Sequence, residues 1–273
     1  MSFRINTNTQ SALSLNALNR TSNEIGMRQL RLATGSKINS AGDDSAGFTI
    51  SNKLTATTRG QAQALSNIGD AKSMLTVAEG ALGSTMDILQ TMKEKAIQAG
   101  NDSLGSEERG AIQTQLDALS AEIGDILGGT DFNGKALFDD AATTDLTFQV
   151  GADAGDSFDV SIAQMGSATL AVNALDVETD ATTRDAALTA IDTAISAVNS
   201  AAAGIGDSQN RLDFKAQNLE TSMTNYEAAN SRIKDADFAR EQMEVVKLQI
   251  LQQTGSAAFA QANAAPQSVL SFF

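Results

Sequence analysis

With 273 residues, 4% aromatics, no Trp and a single Pro, the chain is poorly supplied for a large globular core and well supplied with the Ala, Leu, Ile, Val and Met of long helices. It has no His and no Cys, which excludes disulfides, thiol nucleophiles, the usual zinc sites and the commonest general base. A net charge of −14 argues against nucleic acid, whose phosphates require a concentrated basic surface.

The first forty residues predict a thin amphipathic helix. Leu18, Ile25 and Leu32 recur at sevens with Leu15 ahead of them, while Ser22 and Gln29 fill the matching positions. A stripe this sparse is marginal alone, because most helix stability comes from tertiary packing. From Ile68 a strict seven-residue repeat runs through Leu75, Leu82, Leu89 and Ala96, with Ala71, Ala78, Thr85, Met92 and Ala99 three residues after each. That repeat predicts a left-handed coiled-coil seam. Asn101, Asp102, Ser103 and Gly105 break the helix, and Glu107 and Glu108 suit the positive end of the next macrodipole. The helix that follows carries Ile112, Leu116, Leu119, Ile123 and Ile126, and Gly128-Gly129 ends it.

The period then changes. Asn133-Gly134 is a turn signal. Leu146, Phe148 and Val150, then Phe158, Val160 and Ile162, alternate with polar residues and predict a β-hairpin around 146–162. Helical spacing returns at Leu188, Ile191, Ile195, Val198 and Ala202, is interrupted by Gly204-Ile205-Gly206, and resumes at Leu212, Ala216, Leu219, Met223 and Tyr226. A last stripe passes through Met243, Val246, Ile250, Gln253, Ala257, Ala260 and Ala264 and stops at Pro266.

The expected fold is therefore mainly α, a long antiparallel helical bundle or coiled coil with a small β-hairpin patch. The two thin terminal stripes predict ends that pair with each other and finish packing on other copies, so residues 1–45 and 230–273 are expected to order on assembly. The simpler alternative is an ordinary bundle that needs no partner. Charge is uneven in the same sense: Met1 to Ser40 carries +4, the segment from Asn230 is neutral, and the middle carries −18. Packed ends around an acidic, mutually repelling outer surface fit that distribution, although acidity for solubility alone fits it too. The N-terminus lacks the charged-then-apolar run of a cleaved leader, and nowhere do eighteen apolar residues run together, so no membrane insertion is expected.

The chain offers no catalytic constellation. Asp153, Asp156 and Asp159 are spaced i, i+3, i+6, which misses the alternate-residue ligands of a calcium loop and reads as a solvated hairpin loop. Asp43 and Asp44 read as turn and cap residues rather than paired acids. The Gly-rich spots lack the Lys-Ser/Thr ending of a phosphate loop. Neither an enzyme nor a cofactor is expected.

Several motifs resemble one family. Ile5-Asn6-Thr7-Asn8, with Leu15, Leu18, Asn19 and Arg20, is similar to the bacterial flagellin start. The run from Leu32 through Thr34-Gly35-Ser36-Lys37-Ile38-Asn39-Ser40-Ala41-Gly42-Asp43-Asp44 to Gly47 resembles that family's most distinctive signature. Thr130-Asp131-Phe132-Asn133-Gly134, Ser231-Arg232-Ile233-Lys234-Asp235-Ala236-Asp237-Phe238 and the close from Gln261 to Leu270 also match, in the right order.

The resemblance implies an inner coiled-coil domain of residues 1–45 and 230–273 lining a filament channel, and an outer bundle of 46–229. Inner packing then falls to Leu15, Leu18, Ile25, Leu32, Met243, Val246, Ile250 and Ala257, and the outer seam to Ile68, Leu75, Leu82, Leu89, Ile112, Leu116, Leu119 and Ile123. Many flagellins insert variable outer domains after the hairpin; only about Ala163 to Asp185 stands there here, so this resembles a minimal form. The family implies a homopolymer used for swimming, secreted unfolded through the flagellar type III channel to an extracellular filament. Its implied partners are an export chaperone at the C-terminal segment and the hook-associated and cap proteins. A hook–filament junction protein and a flagellin-like cell-surface polymer-binding protein remain the alternatives. One departure stands out: flagellins sensed by the Toll-like receptor usually read Leu-Gln-Arg, Val or Ile, Arg-Glu-Leu, where this chain has Leu89-Gln90-Thr91-Met92-Lys93-Glu94-Lys95, and Gln115 replaces a Glu. That departure implies weak or no recognition by the receptor.

Overall fold

The computed structural model describes residues 8–139 and 142–270, with side chains through Ala264. The elements in order are α1 (Thr9–Thr34), α2 (Ser45–Ala99), α3 (Ser106–Gly129), β1 (Asp131–Phe132), β2 (Lys135–Ala136), β3 (Thr144–Gln149), β4 (Ser157–Ile162), α4 (Ala181–Lys234) and α5 (Phe238–Leu270). They form two compact units, Met1–Ala56 with Thr224–Phe273, and Thr57–Met223. Residues 46–56 and 224–229, expected in the outer domain, thus belong to the terminal unit. Side-chain bonds account for this: the Ser51 hydroxyl donates to Asn230 Oδ1 at 2.6 Å, and Asn230 Nδ2 donates to Thr55 Oγ1 at 3.3 Å.

In the unit Thr57–Met223, the seven-residue repeat of α2 is the core seam. Ile68, Leu75, Leu82 and Leu89, with Ala71, Ala78, Thr85 and Met92, are at most 1% exposed. Thr85 is tolerated there because its hydroxyl donates to the Ala81 carbonyl at 2.9 Å, which satisfies its polar atom. On α3, Ile112, Leu116 and Ile123 are buried, while Leu119 and Ile126 are half-buried flanks and Ser120 and Leu127 take the inward positions. Helix α4 runs antiparallel to α2, as the Lys72–Asp213 and Lys93–Asp192 ion pairs show together with Gln209 Nε2 donating to Glu79. These exposed pairs mark register and add little energy.

Two expectations for α4 are corrected. The helix does not break at Gly204-Ile205-Gly206; it continues, because Ile205 is itself a buried seam residue whose packing offsets the roughly 1 kcal/mol that each helical glycine costs. Ile191, Val198 and Leu212 are buried as expected, but at alternate positions the seam takes Ala187 and Ala194 in place of Leu188 and Ile195, which are half-buried, and adds Ile205. By length and composition α4 could cross a bilayer, but its apolar stripe is the one packed in this core.

Strands β1 and β2 pair antiparallel through Asn133-Gly134, both at positive φ (54° and 77°), as a two-residue type I′ hairpin requires. Strands β3 and β4 pair Leu146 with Val160 and Phe148 with Phe158, and Leu146, Phe158, Val160 and Ile162 turn to the core. The Arg211 guanidinium of α4 lies 4.6 Å from the Phe158 ring centroid. After the hairpin, the segment 163–180 straps across the bundle and buries Met165, Leu170, Val172, Leu175 and Val177. Gln113 of α3 holds it in the manner of a neighbouring strand, donating to the Leu175 carbonyl at 2.7 Å and accepting from the Val177 N–H at 2.9 Å.

Candidate assembly interface

The terminal unit is organised by the loop after α1. Gly35 ends the helix in the left-handed conformation (φ 67°), and residues 35–37 bond to the end of α4: Lys37 N donates to the Lys234 carbonyl and Ala236 N to the Gly35 carbonyl. Ile38 is then buried. Asp43 ties the turn by accepting from the N–H groups of Asn39 and Ser40 and from the Ser40 hydroxyl; those bonds hold its carboxyl below the usual pKa. Asp44 accepts from the Gly47 N–H at 3.0 Å and caps α2. A Cβ at position 47 would lie 2.6 Å from that Asp44 carboxylate and 2.7 Å from Ile38 Cδ1, so glycine is required there. Asp237 caps α5 in the same way, accepting from Ala239 and Arg240. The signature segment and its C-terminal counterpart are thus the two halves of one corner that sets α1 beside α5.

Helices α1 and α5 pack antiparallel. Asn8 Nδ2 donates to the Ala262 carbonyl at 2.8 Å near one end. Near the other, Arg28 Nη1 lies 2.9 and 2.8 Å from the two carboxylate oxygens of Glu241, and Arg31 Nη1 lies 3.6 Å away. The α1 seam is Ser11, Ser14, Leu18, Thr21, Ile25, Arg28 and Leu32, at alternating threes and fours. Leu18, Ile25 and Leu32 therefore face α5 as expected. Leu15, by contrast, is 43% exposed and lies off this seam, with Ser14 in the inward place. The α5 seam is Glu241, Val245, Leu248, Gln252, Gly255, Phe259 and Ala262.

Of the inner-packing residues expected on the C-terminal stripe, Met243, Val246, Ile250 and Ala257 lie outside the seam with α1. They are exposed, Met243 by 67% and Ile250 by 56%. Their stripe has the same three–four spacing as the seam but lies on the opposite side of the helix, since two residues advance the angle by roughly 200°. Nor does α5 stop at Pro266; it continues to Leu270 despite the lost N–H bond and the ring's clash with the preceding turn. On α1, Leu13, Met27 and Leu30 are likewise at least half exposed.

The charge division follows the units. Thr57–Met223 holds 25 acidic and 9 basic residues, a charge of −16, and the remainder carries +2. Of the receptor-motif positions, Leu89 is buried in the α2 seam and unavailable to any partner. Gln90, Thr91, Glu94 and Gln115 are exposed and Lys95 is half-buried. Among the described residues no group of acidic side chains could hold a metal ion. An open groove of about 460 Å³ lies between Thr169–Ala171 and α4, lined by Ala and Thr without an ionisable group.

A helix pair made by the two ends of one chain, with a second heptad stripe left bare, in a chain whose other unit is helical and acidic, defines a self-assembling structural subunit. Comparison with known proteins gives the family. The bacterial flagellin N-terminal helical region matches residues 5–143 and the bacterial flagellin C-terminal helical region matches 188–273. The chain is similar to flagellin of Halalkalibacterium halodurans, 39% identical over 242 residues that cover 88% of each chain. It is 38% identical to flagellin of Bacillus subtilis over 302 residues, covering 98% of this chain and 99% of that one. The crystal structure of Bacillus cereus flagellin superposes with a TM-score of 0.50 at 31% identity, over 60% of this chain and 94% of that one. A putative flagellar hook-associated protein from Vibrio parahaemolyticus shares the fold, with a TM-score of 0.60 at 22% identity, over 71% and 100%. The chain belongs to the bacterial flagellin family. It is a structural subunit of the flagellar filament, which serves motility, and not an enzyme.

Proposed function

We propose that the outer stripe of α5, with the exposed face of α1, is the surface through which copies pack into the inner wall of the filament. The observation that carries this is the bifacial α5: one heptad stripe is occupied by α1, and an equally regular one, Met243, Val246, Ile250, Gln253 and Ala257, is exposed among the described residues. Burying the exposed parts of Met243, Val246, Ile250 and Leu251 is worth on the order of 4 kcal/mol per subunit. Repetition of that contact multiplies the figure along the filament. The chain reaches its assembly site by export through the flagellar channel, with a chaperone on the α5 region and cap and hook-associated proteins meeting the same helices. The acidic unit Thr57–Met223 faces solvent, and the diverged surface at Thr91, Lys95 and Gln115 gives weak recognition by the flagellin-sensing receptor.

The test is Ile250→Asp. An unpaired carboxylate buried between copies costs several kcal/mol, so seeded elongation stops while Thr57–Met223 still melts cooperatively by circular dichroism. Elongation at the wild-type rate would remove Ile250 from the interface and sink the reading.

A further inference from the structure

The chain contains no Cys, so its only oxidisable sulfur is in its eight methionines. Among the described residues Met74, Met86 and Met223 are half-buried, and the other four stand at the extremes. Met92 and Met165 are 0% and 3% exposed inside Thr57–Met223, whereas Met27 of α1 is 50% exposed and Met243 of α5 is 67% exposed. Both exposed residues are on the terminal unit, and Met243 heads the bare heptad stripe. Flexible, polarisable methionine suits a surface that must adapt to a second copy. The same exposure opens its thioether to attack.

We infer that Met27 and Met243 are modification sites, oxidised to sulfoxides by peroxide in the subunit before incorporation, and that their oxidation arrests its addition to the filament. The step is balanced: hydrogen peroxide transfers one oxygen atom to the sulfur, its O–O bond breaks, water leaves, and the sulfur is oxidised by two electrons. The product replaces an apolar side chain with a polar, chiral one. Placed in the stripe, its oxygen must be buried without a donor when the next copy docks. Assembly covers the same sulfurs, so a finished filament resists the reaction that stops a free subunit. The inference rests on the reading of the α5 stripe as the contact between copies.

The experiment treats free subunits and finished filaments with hydrogen peroxide, maps sulfoxides by peptide mass spectrometry, and follows seeded elongation. In free subunits Met27 and Met243 oxidise at least about tenfold faster than Met92 and Met165, and in filaments that excess disappears. Oxidised subunits elongate roughly tenfold more slowly, and methionine sulfoxide reductases with a dithiol restore the rate. The double variant Met27→Leu, Met243→Leu elongates at a rate that peroxide leaves equal to its own untreated control; Met243→Gln elongates slowly without any oxidant. Equal oxidation at exposed and buried methionines overturns the proposal, as does unchanged elongation by oxidised subunits or a peroxide-sensitive double-Leu variant. If filaments leave Met243 unprotected while Ile250→Asp still blocks growth, the proposal fails and the interface reading stands. If Ile250→Asp grows normally, the interface reading fails whatever peroxide does.

Discussion

Replacing Glu241 with Ala removes the only acid in the α1–α5 seam and leaves two arginines behind. The Glu241 side chain is 9% exposed, bonded through both oxygens to Arg28 and approached by Arg31. Breaking a buried pair costs about 3–5 kcal/mol because the remaining charge is uncompensated. Here the arginine side chains are 32% and 20% exposed and can swing toward water, which reduces the expected loss to about 2 kcal/mol. Filament growth needs the α1–α5 pair, so the loss appears as a critical concentration raised roughly thirtyfold, read by sedimentation of polymer against free subunit. Glu241→Gln keeps the shape and gives a smaller rise. Glu241→Leu with Arg28→Leu, which swaps the pair for apolar packing, is neutral or better. A critical concentration within twofold of wild type for Glu241→Ala would refute the reasoning and make the pair a register mark without energetic weight.

Gln113→Ala cuts both bonds to the strap and lowers the stability of Thr57–Met223 by about 1–3 kcal/mol; thermal melting and faster limited proteolysis within 163–180 report it. The N–H groups of Asn39 and Ser40 hold the Asp43 carboxyl below the usual carboxylate range. The stabilising effect is complete above the ordinary aspartate pKa and is lost as pH falls through the lower folded pKa; an NMR titration midpoint at or above that of an unfolded aspartate contradicts this. Hydrogen exchange on the free subunit finds weak protection in α1, whose seam is half polar, and strong protection once filaments form. Thr91→Arg with Lys95→Leu on α2 partly restores activation of the flagellin-sensing receptor in a reporter assay, with roughly a thousandfold as the ceiling if two contacts of about 2 kcal/mol add. No gain would mean that the lost recognition lies elsewhere.

The outer bundle was legible in the sequence, because both halves of its seam are filled by residues with one physical preference. Leu75, Ala78, Leu82 and Met92 have no other use than burial, so their spacing translates directly into a core. The hairpins were legible for a similar reason, since Asn133-Gly134 admits few backbone conformations other than the tight turn it makes. That the two ends pair was legible, but which residues of α5 form the seam with α1 was not, for a physical reason. Hydrophobicity ranks the faces of α5 by how much they gain from leaving water, and it does not say which copy of the chain removes the water. The richer stripe runs through Met243, Val246 and Ile250, whereas the intrachain seam includes Glu241, Gln252 and Gly255. No local pattern announces that Arg28 will meet Glu241 across 213 residues, or that Gln113 will bond a strap 62 residues later. Yet Ser14, Thr21 and Arg28 recur at sevens, one position before Leu15, Ser22 and Gln29, and that polar repeat was the available signal for the seam. In a monomer, a helix that turns its poorer stripe inward and its richer one to water would be unstable against rotation about its own axis. Capping by Asp237 and the Arg28–Glu241 pair oppose that rotation here, which leaves the richer stripe for a second copy. The inversion of stripes is what the proposed packing of α5 against a second copy requires.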